Sequence, residues 1–428
     1  MLKEKVYWHD TVEMPSGHEN NPLPEKVDVA IIGSGYTGLT AALTLAKRGA
    51  SVAVLEAETI GWGASSRNGG MVLTGLKIPM QTAIKRYGRD MARHLFQCSL
   101  DSIDTVENIC KEEGITCGFA RTGHLLVANK PKHYDLLAAE VEFMAKEFDH
   151  AVRLVPRSDQ HTEIGSDLYC GALVDEVSAG LNPAQYVTGL ARAVVKAGAT
   201  LHARARVSRL ERREKCLLVE TERGLLIAEN VFVATNGYID SATPKLQRKI
   251  MPIGSFIIAI EPLSDELAHE LSPHNRMIFD FKHFLNYFRL SDDNRLIFGG
   301  RAAFFPENEK TVRQSAEILG REMTAVYPQL RDVEVEYAWG GTLGFAFDLM
   351  THAGEMDGMY YALGYAGHGV AMGTYLGKTV AEAMLAGTIK EHPFAAFPFP
   401  GAPLGLYNGN PWFLPLVGAW HRFLDLTE

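Results

Sequence analysis

Cysteine is scarce in this chain, basic residues are outnumbered, and no long apolar run occurs. The five cysteines (Cys98, Cys110, Cys117, Cys170 and Cys216) are scattered, with no C-x-x-C pair. That pattern argues against a disulfide framework or a zinc site and fits a reducing cytoplasm. Lys and Arg total 42 against 51 Asp and Glu, a net charge of −9. A phosphate backbone would repel such a chain, which argues against general nucleic-acid binding. No stretch approaches membrane-spanning length, and Met1-Leu-Lys-Glu-Lys lacks the apolar core of a signal peptide. Internal repeats, low-complexity segments, a serine-hydrolase elbow and a metal-ligand cluster are also missing. The expectation is a cytoplasmic globular protein without metal. Its 428 residues suffice for two or three domains, and 46% hydrophobic residues support a large core.

What the chain does have is Asp28-Val-Ala-Ile-Ile-Gly33-Ser-Gly35-Tyr-Thr-Gly38, leading to Glu56. Val29 to Ile32 reads as a buried strand, Leu39 to Lys47 as a helix, and Val52 to Leu55 as a second strand. The three glycines have the G-x-G-x-x-G spacing. Gly33 permits the tight turn, Gly35 lets a pyrophosphate approach the backbone, and Gly38 lets helix and strand pack closely. The helix N-terminus offers free N–H groups to phosphates. Glu56 can accept hydrogen bonds from a ribose hydroxyl. This is a dinucleotide-binding unit, and a glycine-rich turn of some other α/β protein fits it less well.

The fold class expected is α/β, or α+β overall. A Rossmann-like nucleotide domain, discontinuous in sequence, is joined to an antiparallel-sheet substrate domain. Residues 1–25 are a polar, proline-bearing surface arm. Residues 26–85, 170–240 and 335–392 form the nucleotide domain; 86–169 and 241–334 form the substrate domain; 393–428 form a tail. Helical patterns dominate from Met80 to Glu147, interrupted by a strand at Gly123 to Ala128. A helix spans 183–198, with Pro183 suited to its first turn. Tyr287 to Leu290 and Arg295 to Gly300 form a hairpin across Ser291-Asp-Asp-Asn294. A last helix runs from Val370 to Ala386.

Three further segments separate FAD from NAD. Gly61-Trp-Gly63-Ala64-Ser65-Ser66-Arg67-Asn68-Gly69-Gly70 suits a loop lying against a long cofactor. Val231 to Gly237 ends in Ala-Thr235-Asn236-Gly237, after an apolar strand. Gly364-Tyr-Ala-Gly367-His368-Gly369 precedes a helix on which Gly369, Gly373, Gly377 and Ala381 leave one face nearly bare. Such a face lets a flat ring or backbone approach, or packs tightly on another helix.

Together these residues resemble the D-amino-acid-oxidase-like family of FAD-dependent oxidoreductases, and most of all its γ-glutamylputrescine oxidoreductase branch. The likeness begins at Tyr7-Trp8 and is most specific over Ile32 to Glu56, Gly61 to Gly70, Tyr287 to Arg301 and Gly364 to Gly369. It implies FAD held by Gly33, Gly35, Tyr36, Thr37, Gly38, Glu56 and Ala57. Gly63, Ala64, Ser65, Ser66, Arg67, Asn68 and Gly69 run along the pyrophosphate and flavin, and Val207 holds the adenine through its backbone. Thr235, Asn236, Gly237, Trp339, Gly341, Gly364, Gly367, His368, Gly369 and Val370 complete the cofactor site. Two residues depart from the branch: Ser66 stands where it has glycine, and Thr351 where it has proline. The histidine or cysteine that attaches flavin in some relatives is missing, which implies dissociable FAD.

The resemblance also implies hydride loss from a neutral amine to flavin, giving an imine that water hydrolyses to a carbonyl product. The substrate that the resemblance implies is a γ-glutamylated amine or a related amine or amino acid. O2, giving H2O2, or another acceptor takes the electrons. The alternatives are an N-methyl-amino-acid or opine dehydrogenase, and a flavin-binding protein without turnover. Tyr287 and Arg289, two apart on one strand face, make a reasonable carboxylate clamp or an exposed strand face. Arg301 is a weaker candidate. His352, in Asp348-Leu-Met-Thr-His352-Ala-Gly354, is either a pocket residue or a satisfied loop histidine. The aromatic tail Trp412 to Leu424 suits packing on the body or on a second copy of the chain in a homo-oligomer.

Overall fold

The computed structural model describes residues 2–282, 285–300, 309–405 and 407–414. Arg301 and residues 415–428 of the tail lie outside them. Two eight-stranded sheets carry the fold, with a two-stranded ladder between Met71–Val72 and Ala179–Gly180. In the first sheet, Lys26–Ile32 lies between Val52–Leu55 and Gly224–Val233, parallel to both. Thr200–His202 extends it on one side, and Met359–Leu363 with His352–Met356 on the other. Val52–Leu55 is wholly buried, as a parallel strand covered on both faces must be. Val207–Arg212 and Leu217–Thr221 add an antiparallel flap on Gly224–Val233.

The second sheet runs Val335–Ala346, Ile250–Ile260, Leu296–Gly300, Asn286–Leu290, Met277–Asp280, His124–Val127, Gly171–Asp175 and Arg153–Pro156. All neighbours are antiparallel except Met277–Asp280 with His124–Val127. This corrects the expected boundaries at 170 and 335. Gly171–Asp175 and Val335–Ala346 both join the second sheet, because their pairing partners are His124–Val127 and Ile250–Ile260. The chain returns to the first sheet only at His352. The helix Arg89–Glu113 is corrected too. It packs on Gly369–Ala386, and its apolar face (Leu95, Phe96, Ile103, Val106) belongs to the core beside the first sheet.

Helices Tyr36–Lys47 and Gly369–Ala386 cross closely, and this fixes the use of the bare glycine face. A Cβ at Gly377 would lie 2.5 Å from the Thr37 carbonyl oxygen, and one at Gly373 would lie 3.0 Å from Thr37 Oγ1. The stripe serves helix–helix contact. The N-terminal segment is not a surface arm throughout either: Val6, Tyr7 and Trp8 are buried against Ile257, Ile297, Tyr337 and Trp339. A tryptophan and a tyrosine bury enough apolar area to hold a short segment down. No described helix is long and apolar enough to cross a membrane.

Candidate functional site

The turn after Lys26–Ile32 shows why glycine is needed there. Gly33 has φ +104°, and a Cβ on it would meet the Ala234 carbonyl at 3.0 Å. A Cβ at Gly38 would sit 1.9 Å from the Gly33 oxygen. The Glu56 carboxylate is fixed from the same turn. It accepts hydrogen bonds from the Ser34 N–H at 2.9 Å, the Ser34 hydroxyl at 2.6 Å and the Glu58 N–H at 3.0 Å. The Tyr36 N–H, at the start of the helix, donates to Ser65 Oγ at 3.0 Å.

Two adjoining cavities open here. The first, of about 390 Å³, runs from Glu56 and Val207 past the glycine turn to Gly369 and Val370, at the N-terminus of the last helix. The Thr235 hydroxyl, among its lining residues, is buried without a partner. The second, of about 190 Å³, lies between the 64–71 loop and the second sheet. Ala64, Asn68, Leu343, Gly367 and Val370 line both. Met71, Leu73, Ile257, Phe279, Leu285 and Phe345 give the second cavity mostly apolar walls. Its charged lining residues are Arg67 and Lys77, and no carboxylate lines it among the described residues. His368 borders it with Nδ1 unpartnered. Burial, and then the Lys77 charge, hold its imidazole down to about 3.

An elongated groove with a phosphate-ready helix start at its middle and an anchored acid near one end fits a dinucleotide. A model of the DAO family, "FAD dependent oxidoreductase", matches residues 28–383. The chain belongs to this family of FAD-dependent oxidoreductases. It is 36% identical to "Probable oxidoreductase OrdL" of Haemophilus influenzae, over 84% of this chain and 83% of the relative. It is 32% identical to "Gamma-glutamylputrescine oxidoreductase" of Escherichia coli, over 87% and 88%. Among solved structures it is similar to glycine oxidase from Geobacillus kaustophilus, with TM-score 0.75 and 20% identity over 89% of this chain and 99% of that one.

In this FAD-dependent oxidoreductase, most residues expected at the cofactor face a cavity. Gly33, Gly35, Tyr36, Thr37, Glu56, Ala57, Gly63, Ser65, Val207, Thr235, Asn236 and Gly369 line the first. Arg67, Gly69, Gly341 and His368 line the second, and Ala64, Asn68, Gly367 and Val370 line both. Gly38, Ser66, Gly237, Trp339 and Gly364 line neither and support those that do. Gly38 packs on the turn, and Gly237 lies against the Leu343 backbone. Gly364 donates its N–H to Asn236 Oδ1 at 2.9 Å. Ser66 is buried beside His9, and Trp339 donates to the Arg67 carbonyl at 2.8 Å.

The expected substrate residues divide. Tyr287 lines the second cavity, but Arg289 does not. Its guanidinium is buried behind the loop, over the Trp8 ring at 5.6 Å, and donates to the Gly70 carbonyl at 3.3 Å. Burial pushes it down to about 10. Of the two readings of His352, the pocket residue is not the one seen. His352 is buried outside both cavities, pairs with Asp348 at 3.0 Å and stacks on Phe399 at 4.2 Å. Its segment packs behind the Gly364 turn instead of lining the pocket. Sequence reasoning missed Lys77, Ser255 and Phe279. Each is a lone residue on a different segment, with no local signal to join them. Trp62 and Tyr238 stack edge to face on the first cavity's wall, and Arg67 lies 4.4 Å over the Trp62 ring.

Proposed function

We propose that the chain oxidises the C–N bond of an amine that also carries a carboxylate, with a γ-glutamylated amine as the leading candidate. The observation that carries this reading is the second cavity: it opens on the first through shared lining residues, has apolar walls and has Arg67 and Lys77 as its charged groups. The apolar walls suit a methylene chain, and Lys77 with the Tyr287 hydroxyl suits a carboxylate. A site with cations and no lining carboxylate among the described residues disfavours an ammonium, so it holds the reacting amine neutral. Loss of hydride from a C–H bond requires that neutral form. His368, kept uncharged beside Lys77, does not add a third positive charge.

When bound, FAD supplies the hydride acceptor. Glu56 would receive a ribose hydroxyl, the Gly33 to Thr37 turn the pyrophosphate, and Gly367 to Val370 the ring end. FAD is read as dissociable, and no cysteine lines either cavity among the described residues.

The test is an anaerobic absorbance spectrum of the purified protein before and after γ-glutamylputrescine, followed by air. Bleaching, recovery in air and peroxide are expected. Bleaching that needs an added dye for recovery would make O2 the wrong acceptor. A yellow protein that this amine does not bleach would reject the substrate, and N-methyl amino acids and opines would then be tried.

A further inference from the structure

Three carbonyls of the cofactor loop point at buried side-chain donors. The Arg67 carbonyl accepts from the Trp339 indole N–H at 2.8 Å. The Asn68 carbonyl accepts from the Trp8 indole N–H at 2.9 Å. The Gly70 carbonyl accepts from Arg289 at 3.3 Å and from the Leu181 N–H at 2.9 Å. The three side chains come from three distant segments: the N-terminal arm, Asn286–Leu290 and Val335–Ala346. All three are buried. One step earlier, His9 Nε2 and Ser66 Oγ lie 2.9 Å apart.

In a planar trans peptide the C=O and the following N–H point in opposite directions. Holding the Arg67 and Asn68 carbonyls toward the two indoles therefore turns the N–H groups of Asn68 and Gly69 the other way. Both residues line the second cavity, and Asn68 lines the first as well. Neither N–H has an acceptor among the described residues. The Asn68 side chain is already used within the loop. Its Nδ2 donates to the Ala64 and Ser65 carbonyls at 3.0 and 3.2 Å, and its Oδ1 accepts from the Gly70 N–H at 2.7 Å. Backbone donors that are fixed in direction and unpaired are what an acceptor atom of a bound group needs.

We propose that the N-terminal arm is a cofactor-positioning element: Trp8, together with Trp339 and Arg289, clamps the 67–70 carbonyls so that the Asn68 and Gly69 N–H groups are presented to the flavin. The arm then belongs to the active site although it touches neither cavity, and Arg289 is a clamp residue. The inference rests on FAD binding alone and is independent of which amine is oxidised.

The experiment measures the Kd of FAD for the apoprotein by fluorescence titration, and the visible circular dichroism of the reconstituted holoprotein. The variants are Trp8→Phe and Trp339→Phe, which keep a ring and remove the donor. Tyr7→Phe is the control: it lies in the same apolar cluster, but its hydroxyl donates to Asp293, away from the loop. A rise in Kd of about fivefold in each tryptophan variant, a changed flavin dichroism and a less than additive double variant are expected, with Tyr7→Phe within about twofold of the parent. Folded tryptophan variants that match Tyr7→Phe in both readouts would overturn the clamp. If neither folds, Ser66→Ala decides, since it removes only the contact with His9. A Kd raised about twofold or more with altered dichroism supports the clamp, and parental values overturn it.

Discussion

The two cavities are built differently. The first is assembled mainly from short runs of neighbours: residues 32–37, 55–58, 62–65, 234–236 and 238–240. The second takes single residues from many places, among them Lys77, Ser255, Phe279, Tyr287 and Phe345. In the first, each residue's role follows from its immediate neighbours in sequence, as with Gly38 against the Gly33 oxygen. In the second, a residue matters because a distant strand brings it opposite another. Cofactor chemistry is thus written locally and substrate chemistry in the register of the second sheet. The 64–70 loop borders both, which is why buried donors from both the arm and the second sheet converge on it.

The comparison predicts unequal damage. Gly38→Ala puts a Cβ 1.9 Å from a backbone oxygen that cannot move without opening the turn. It should cost about 3 kcal/mol or more and release FAD, read by the urea midpoint and the flavin content of purified protein. Retained flavin with an unshifted midpoint would contradict the packing. Lys77→Met should leave FAD content unchanged and raise KM for a carboxylate-bearing amine about tenfold, the worth of a charge-assisted hydrogen bond. An unchanged KM would move the carboxylate site elsewhere in the cavity.

How much was legible from sequence follows the same division. The strand–turn–helix–strand unit ending at Glu56 stands as read, because tight turns and close packing demand glycine whatever surrounds them. The sheet membership of Gly171–Asp175 and Val335–Ala346 was not legible, since strand pattern gives a face and not a partner. Tyr287 and Arg289 do share a face, yet only Tyr287 reaches the cavity. Two residues along a strand shift a side chain by about 7 Å, enough to carry Arg289 past the pocket wall. Trp8 sits in a polar, proline-bearing stretch whose composition hides a segment that docks.

Acid should weaken the fold before it alters the turn. Burial holds His9 and His392 down to about 4 and His368 to about 3. Their pKa values are lower folded than unfolded, so the unfolded chain takes up more protons as pH falls below the ordinary histidine value of about 6.5. Stability should therefore drop between about pH 6.5 and 4. Asp280, raised to about 6 by burial, works against this because the folded state protonates first. The urea midpoint should fall with pH across that window, and more steeply in Asp280→Asn. A midpoint that rises toward pH 4 would reverse the sign and contradict the buried neutral histidines.

The smallest kinetic effect belongs to His352, and it tests the division most sharply. Nothing in its residue type separates it from a pocket histidine. Its surroundings do: Asp348 on one side, Phe399 stacked on the other, and no contact with either cavity. His352→Gln should lose the stacking and part of the Asp348 interaction, lowering stability by about 1–2 kcal/mol. Because its strand borders the Gly364 turn from behind, that loss is absorbed in the first sheet's core. kcat and KM should stay within about twofold of the parent at a temperature where both proteins are folded. A change in KM alone, with the melting temperature unmoved, would place His352 at the substrate and show that the second cavity extends behind the turn.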